Sequence, residues 1–249
     1  MLEYRLFTMA TRVSLFVTCL VDQFFPKIGL GMVEVLERLG YQIDFPEAQT
    51  CCGQPAFNSG FRGEARQVGR HFLSVFRDAE AIVCPSGSCA AMVRRHYAEL
   101  FHKDPEALAA VRVLGERVWE FSEFLVRVAG REEVGACWEG VVTYHDSCHS
   151  LRELGLAEEP RRLLRAVRGL ELREMDLAEE CCGFGGTFSV KFHDVSGSML
   201  GAKIESIRRT GASAVVSTDA SCLMQIRGGL SRAGLPVRTL HVAEVLAAR

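Results

Sequence analysis

Short apolar runs alternate along this chain with longer stretches in which apolar residues recur every three or four positions. "RVSLFVT", "GYQIDFP" and "EAIVCP" in the first half, and "GVVTYHD", "LELREM", "ASAVVST" and "LPVRTLH" in the second, are six or seven residues long. Runs of this length bounded by turn residues predict buried strands. Helical spacing fills the intervals 26–39, 62–78 and 89–101, then 159–168, 194–210, 222–232 and 241–248. Strands alternating with helices predict an α/β fold with mostly parallel sheets and right-handed crossovers, built as two similar halves over residues 10–130 and 140–249. The stretch 102–118, "HKDPEALAAVRVLGERV", reads as a polar connector plus a helix, and "AGREEVGACWEG" at 129–140 as the boundary between halves.

Composition removes several classes of function. A chain of 249 residues, 48% hydrophobic and 24% charged, can bury a substantial core as one large domain or two smaller ones. Its formal net charge of −2 gives no broad basic field, which argues against nucleic acid as a partner. The longest early apolar run, "VSLFVTCLV", ends at Asp22, too short for a membrane span and without a small-residue cleavage site. No transmembrane segment and a cytoplasmic location are therefore expected. Met9 precedes "ATRVSLF", which marks residues 1–8 as a start-site extension outside the fold.

The ten cysteines change the picture most. In a reducing compartment a disulfide framework is disfavoured, so thiols at this density point to metal binding or catalysis. They also reveal the duplication. Cys19 maps to Cys148 with a shift of 129 residues, Cys51 and Cys52 to Cys181 and Cys182 with 130, and Cys89 to Cys222 with 133. In each half one Cys is followed, after 31 or 32 intervening residues, by Cys-Cys-Gly, and then after 36 or 39 by one more Cys. Cys84 and Cys137 have no counterparts, and of the two Cys84 stays a candidate ligand beside Cys89. Cys19, Cys148, Cys89 and Cys222 follow strands, at the carboxyl edge where open α/β sheets place ligands. Cys89 and Cys222 also open helices after "PSGS" and "TDAS", with Ser88 and Ser221 as the expected N-caps.

No two cysteines stand three apart, so zinc ribbons, thioredoxin motifs, ferredoxin-type runs and C-x-x-C-H haem attachment are all excluded. What remains is a site whose ligands converge only on folding. Four thiolates per half suffice for one iron–sulfur cluster or one zinc ion. Adjacent cysteines point their side chains differently and wrap a single ion poorly, yet they can reach two irons of one cluster. Gly53 and Gly183, after the doublets, are expected to take φ above zero or to allow close backbone approach.

The phrases "TCLVDQFFP", "CCGQPAFNSG", "PSGSCAAMVRRHY", "TYHDSCH", "CCGFGGTFSVK", "CLMQI" and "HVAEVL" closely resemble the lactate-utilisation A proteins and the wider cysteine-rich CCG-domain family, from about residue 13 to the end. Relatives in that family include the B subunit of heterodisulfide reductase and the iron–sulfur subunit of glycolate oxidase. The resemblance implies two cysteine-rich domains, each with a [4Fe-4S]-type cluster, held by Cys19, Cys51, Cys52 and Cys89 and by Cys148, Cys181, Cys182 and Cys222. It also implies a subunit that works with other iron–sulfur or redox subunits of a complex oxidising L-lactate or a related 2-hydroxy acid. One departure stands out. The heterodisulfide reductase pattern closes with C-x-x-C and holds noncubane clusters, whereas here Cys84 and Cys89 are separated by four residues, Ser86 stands where that pattern puts Cys, and the second half has Cys222 alone.

Plainer readings accompany each motif. His145 and His149 flank Cys148 and could be ligands, proton donors or strand-end caps. "CCGFGG" lacks the G-x-G-x-x-G spacing, so its glycines make room for a cluster rather than a nucleotide phosphate. The basic helix "PRRLLRAVR" reads as a solvated face, Cys137 as a linker thiol, and His241 as a structural residue opening the last helix. Three function classes follow: an electron-transfer subunit, a thiol–disulfide reductase subunit of the heterodisulfide type, and an interaction module with zinc closed by four thiolates in one or both halves.

Overall fold

The computed structural model describes residues 12–249, so the start-site expectation for residues 1–8 lies outside the described residues. The first sheet gathers β1 (Arg12–Leu15), β2 (Gln42–Asp44), β3 (Ile82–Cys84) and β4 (Val118–Glu120) in the order β2-β1-β3-β4. The second repeats it with β5 (Cys137–Tyr144), β6 (Arg168–Leu172), β7 (Ala214–Ser217) and β8 (Arg238–His241) in the order β6-β5-β7-β8. Every neighbouring pair is parallel. The inner strands β3 and β7 are buried at every residue, which is why their sequences read as unbroken apolar runs. The edge strands β2 and β6 keep one face in solvent.

Parallel strands need crossovers, and the helical intervals supply them. The first half runs through α1 (Cys19–Phe24), α2 (Pro26–Arg38), α3 (Gln54–Asn58), α4 (Arg62–Val75), α5 (Gly87–Ala91), α6 (Tyr97–Leu100), α7 (Pro105–Gly115) and α8 (Phe121–Glu123). The second runs through α9 (Cys148–Leu154), α10 (Glu158–Arg165), α11 (Thr187–Lys191), α12 (His193–Thr210), α13 (Ala220–Arg232) and α14 (Val242–Ala247). Wider π-type turns at Met92–His96 and Phe124–Val128 continue α5 and α8. Among the described residues no helix is long and apolar enough to cross a membrane.

Four expectations need correction. Residues 118–120 form a strand, β4, where the sequence offered only the end of a helix; three residues carry too little periodicity to show. Cys137 opens β5 instead of lying in a linker, its N–H donating to the Ala248 carbonyl at 3.1 Å. The N-caps are not Ser88 and Ser221: Ser86 accepts from the Cys89 N–H and Asp219 from the Ser221 N–H, so both helices start two residues earlier. The basic helix α10 is not wholly solvated, because Arg161 is buried and bidentate to Asp146 at 2.8 and 2.7 Å, with Glu174 on its other edge. Its guanidinium also lies 4.8 Å from the Tyr144 ring centroid.

The halves share their largest core. Val13, Leu15, Val35 and Phe124 of the first pack in one cluster with Val142, Leu163, Val216 and Leu246 of the second. The closing helices are exchanged across this core. α14 lies on α2, so close that a Cβ on Gly31 would stand 2.9 Å from the Ala243 carbonyl oxygen, and Arg38 donates to the carbonyls of Leu246 and Ala247. In turn α8 and its π turn lie on α10, where Arg127 donates to Glu159 at 2.8 Å.

Candidate functional site

In each half the chain leaves the first strand to one side of the sheet and returns to the other, so a crevice opens at the carboxyl ends between β1 and β3 and between β5 and β7. Such switch points are where α/β sheets hold ligands. Cys19 and Cys148 open the helices that follow the first strand of each half, and Cys89 and Cys222 are the third residues of α5 and α13, after the neighbouring strand. The doublets come from the loops ahead of α3 and α11.

All eight thiols with counterparts converge. The Cys19 thiol donates to Cys51 Sγ at 3.7 Å, and the Cys52 thiol to Cys89 Sγ at 3.3 Å. In the second half Cys148 is paired with Cys181, and Cys182 with both Cys181 and Cys222. Gly53 and Gly183, with φ of +83° and +85°, turn their N–H groups onto Cys51 and Cys181 Sγ at 3.3 and 3.4 Å. Cys51 is thereby held far below the usual thiol range, first by the Cys19 thiol, then by Cys52 and the glycine N–H. Cys181 follows the same pattern, with Cys148 first and Cys182 second. Hydrogen bonds to the charged form favour the thiolate, the species that binds metal. Cys19, Cys52, Cys148 and Cys182, as the donors, are pushed up.

Both sets look into one cavity, lined by Cys19, Cys52 and Cys89 from the first half and by Cys148, Cys181, Cys182 and Cys222 from the second. The two edges are pinned together there. Asp219, the cap of α13, accepts from the Ser88 N–H at 3.0 Å and the Ser86 hydroxyl at 3.3 Å across an antiparallel bridge between Ser86 and Asp219. Gly87 approaches α9 so closely that a Cβ would stand 1.8 Å from Ser150 Oγ.

The remaining sequence candidates divide. Cys84, at the end of β3, is fully buried against Cys89, its thiol donating to the Ser86 carbonyl at 3.4 Å. The matching ladder position in β7 is Ser217: Cys84 pairs with Glu120 as Ser217 pairs with His241. His149 lines the cavity, with Nδ1 at 3.5 Å from Cys148 Sγ and Nε2 at 3.3 Å from Gln54 Nε2 of the other half. His145 is fully buried, with the Ala178 carbonyl beside its ring but neither nitrogen in a well-formed hydrogen bond, and burial lowers its pKa to about 3. Its ring and the Cys182 and Cys222 sulfurs offer donor atoms that all lie within 4.8 Å of one another. His241 caps α14, its side chain accepting from the Ala243 N–H, which bears out the structural reading.

Two residues escaped the sequence reading. Lys203, on α12, is buried, and its ammonium donates to the carbonyls of Leu177 and Ala178, tying down the loop that delivers Cys181. Asp219 was legible only as part of "TDAS". An acidic residue before a helix was the available signal for the second; a lone lysine in a helical stretch gave none for the first.

A duplicated α/β chain with a Cys-Cys-Gly loop at each sheet's switch point defines a class, and comparison bears it out: the model of the CCG cysteine-rich domain matches residues 13–94 and 142–227. Lactate utilization protein A of Geobacillus kaustophilus is 50% identical over 238 residues, covering 96% of this chain and 99% of that protein. The protein of that name from Bacillus velezensis is 48% identical, covering 96% of this chain and 100% of its own length. The chain belongs to the lactate utilization A branch of the cysteine-rich CCG-domain family. A crystal structure of a hypothetical protein from Helicobacter pylori superimposes with a TM-score of 0.63 at 9% identity, over 95% of this chain and 48% of that one, a likeness of fold alone.

Proposed function

We propose that the chain is an iron–sulfur electron-transfer subunit of a multi-subunit oxidoreductase acting on lactate or a related 2-hydroxy acid. The observation that carries the reading is the gathering of two four-cysteine sets, each with an adjacent doublet, around facing sheet edges, seven of the eight lining one cavity and Cys51 lying beside Cys19 just outside it. The donor set suits a thiolate-held cluster, being soft, largely dry and supplied with backbone N–H donors to sulfur. Cys19, Cys51, Cys52 and Cys89 would hold one [4Fe-4S]-type group and Cys148, Cys181, Cys182 and Cys222 another; such groups supply one-electron transfer. The chain's own residues keep the sulfurs in place: Tyr97 donates to the Cys52 carbonyl at 2.9 Å, and Lys203 fixes the second loop. Asp219, the acidic residue lining the cavity, is engaged by Ser86, Ser88 and Ser221 as a cap and is not free to act as a base. Oxidation of the hydroxy acid is assigned to partner subunits, since neither a flavin nor a nicotinamide motif is legible in the chain. The name shared by the relatives supplies lactate.

Ser86 bears on the reductase alternative. It stands where C-x-x-C would place a thiol, and its hydroxyl instead accepts the Cys89 N–H at 3.3 Å, so this corner of the site is built as a helix cap. Anaerobically prepared protein should be brown and contain iron and sulfide, Cys182→Ser should bleach the second centre and spare the first, and Cys84→Ala should keep both. The chain alone should not oxidise lactate with an artificial acceptor, and its deletion should block growth on lactate. Background iron with stoichiometric zinc would replace this reading with the zinc module.

A further inference from the structure

The two cysteine sets are related by the duplication, yet their inner walls differ. Phe16 and His145 occupy the same place, one residue past the paired part of the first strand: the Phe16 N–H donates to the Val83 carbonyl at 3.0 Å, and the His145 N–H to the Val216 carbonyl at 2.9 Å. In the first half the position is closed by aromatics, with Phe72 4.9 Å and Phe76 5.6 Å from the Phe16 ring centroid. In the second half Phe72 becomes Lys203. The register is set by the doublet glycines, since a Cβ on Gly53 would meet the Ala65 carbonyl and one on Gly183 the Ser196 carbonyl, and Phe72 and Lys203 each stand seven residues further on. Lys203 gives its ammonium to the carbonyls of Leu177 and Ala178 and leaves the imidazole alone.

A buried polar group without a partner destabilises the fold, and the first half shows that a phenylalanine fills the same space. The His145 ring has the Ala178 carbonyl beside it but neither nitrogen in a well-formed hydrogen bond, and its ring donor atom, Cys182 Sγ and Cys222 Sγ lie within 4.8 Å of one another. A neutral imidazole is a ligand for iron and zinc alike, and coordination satisfies the nitrogen that no hydrogen bond reaches.

We propose that the second cysteine set holds its metal with an imidazole as well as thiolates: His145 ligates beside Cys182 and Cys222, while the first set is all-thiolate. This rests on the reading that the sets carry metal. An imidazole among the ligands makes the second centre differ in potential from the all-thiolate first.

The test uses the full chain, reconstituted anaerobically with iron and sulfide, with histidine labelled with nitrogen-15. Pulsed EPR of the reduced protein should show the coupling of a directly bound imidazole nitrogen. That coupling should vanish in His145→Phe, which copies the first half and so preserves the packing, while the first centre keeps its iron. Both centres loaded without a histidine coupling, or a coupling that survives His145→Phe, would overturn the proposal. Co(II) binding to the reduced, iron-free chain provides a second arm. His145→Phe should weaken one of two sites tenfold or more and leave the other unchanged; equal affinities in wild type and variant would overturn the proposal even where iron was taken up. If iron is refused and the Co(II) effect is seen, the cluster reading fails and the imidazole ligand stands.

Discussion

Single residues set the loops that deliver the thiols. Gly53 and Gly183 share a positive φ, but a Cβ at Gly53 would meet its nearest atoms at 3.5 Å, whereas at Gly183 it would stand 2.6 Å from the Ser196 carbonyl oxygen. Gly53→Ala should lower stability by about 1 kcal/mol, the conformational term alone, and Gly183→Ala by clearly more, with loss of the metal proposed for the second cysteine set; urea unfolding and metal analysis read the two apart. Glu120 offers a pH test. Burial pushes its carboxyl up from 4.5 to about 8. Between those values the folded protein holds a proton that the unfolded chain has released, so this contribution is complete below pH 4.5, declines as pH rises, and is gone above 8. The slope is at most about 1.4 kcal/mol per pH unit, and Glu120→Gln should flatten it in thermal melts across that window. The need for glycine after each doublet was legible in the sequence. The environment of Glu120 was not, because burial depends on the strand β4 that the sequence concealed.

Elements, and above all their ends, decide how the site is assembled. Most strands and helices follow from the apolar runs, since β1, β3, β5 and β7 are buried where the pattern is strongest. The caps were misplaced for a physical reason. A serine beside the cysteine satisfies the local rule for an N-cap, but in α13 the residue whose carboxylate reaches back is Asp219, and it also serves a partner 131 positions away in the chain, at Ser88. No local pattern encodes that bond. Asp219→Ala removes a cap, worth about 1 kcal/mol, and strands the buried Ser88 N–H at a further 1–3 kcal/mol. The combined loss, about 2–4 kcal/mol, should show in denaturant unfolding, with Asp219→Asn recovering part of it; a loss below about 0.5 kcal/mol would mean that the junction between halves is held elsewhere. Arg161 makes the same point: a basic helix looked solvated because its partner, Asp146, is supplied by the strand end of β5.

At the scale of the molecule the boundary read at residues 129–140 separates sequences but not cores. The cluster that joins Val13, Phe124, Val142 and Leu246 would be opened by cutting there. Fragments cut at that boundary should fail to unfold cooperatively alone and should associate when co-expressed, which far-UV circular dichroism and co-purification would show. A soluble, cooperatively unfolding half would contradict the shared core. The duplication could be counted from cysteine spacing, whereas the exchange of closing helices could not, because either half could have kept its own.

That exchange has a historical consequence. Before duplication, a chain of one such half would have had no surface of its own for its last helix, and the apolar side of that helix fits the second helix of an identical copy. The molecule thus has the architecture of a twofold symmetric homodimer joined into one chain, with isologous contacts that put the two cysteine sets face to face. Within one chain the two sets need not be identical, and they are not: Phe16 and Phe72 in the first half stand where His145 and Lys203 stand in the second. A gene for the second half alone, with residues of its second helix changed to those of the first half's, should yield a stable dimer by sedimentation; a folded monomer would show that the closing helix can pack within its own half.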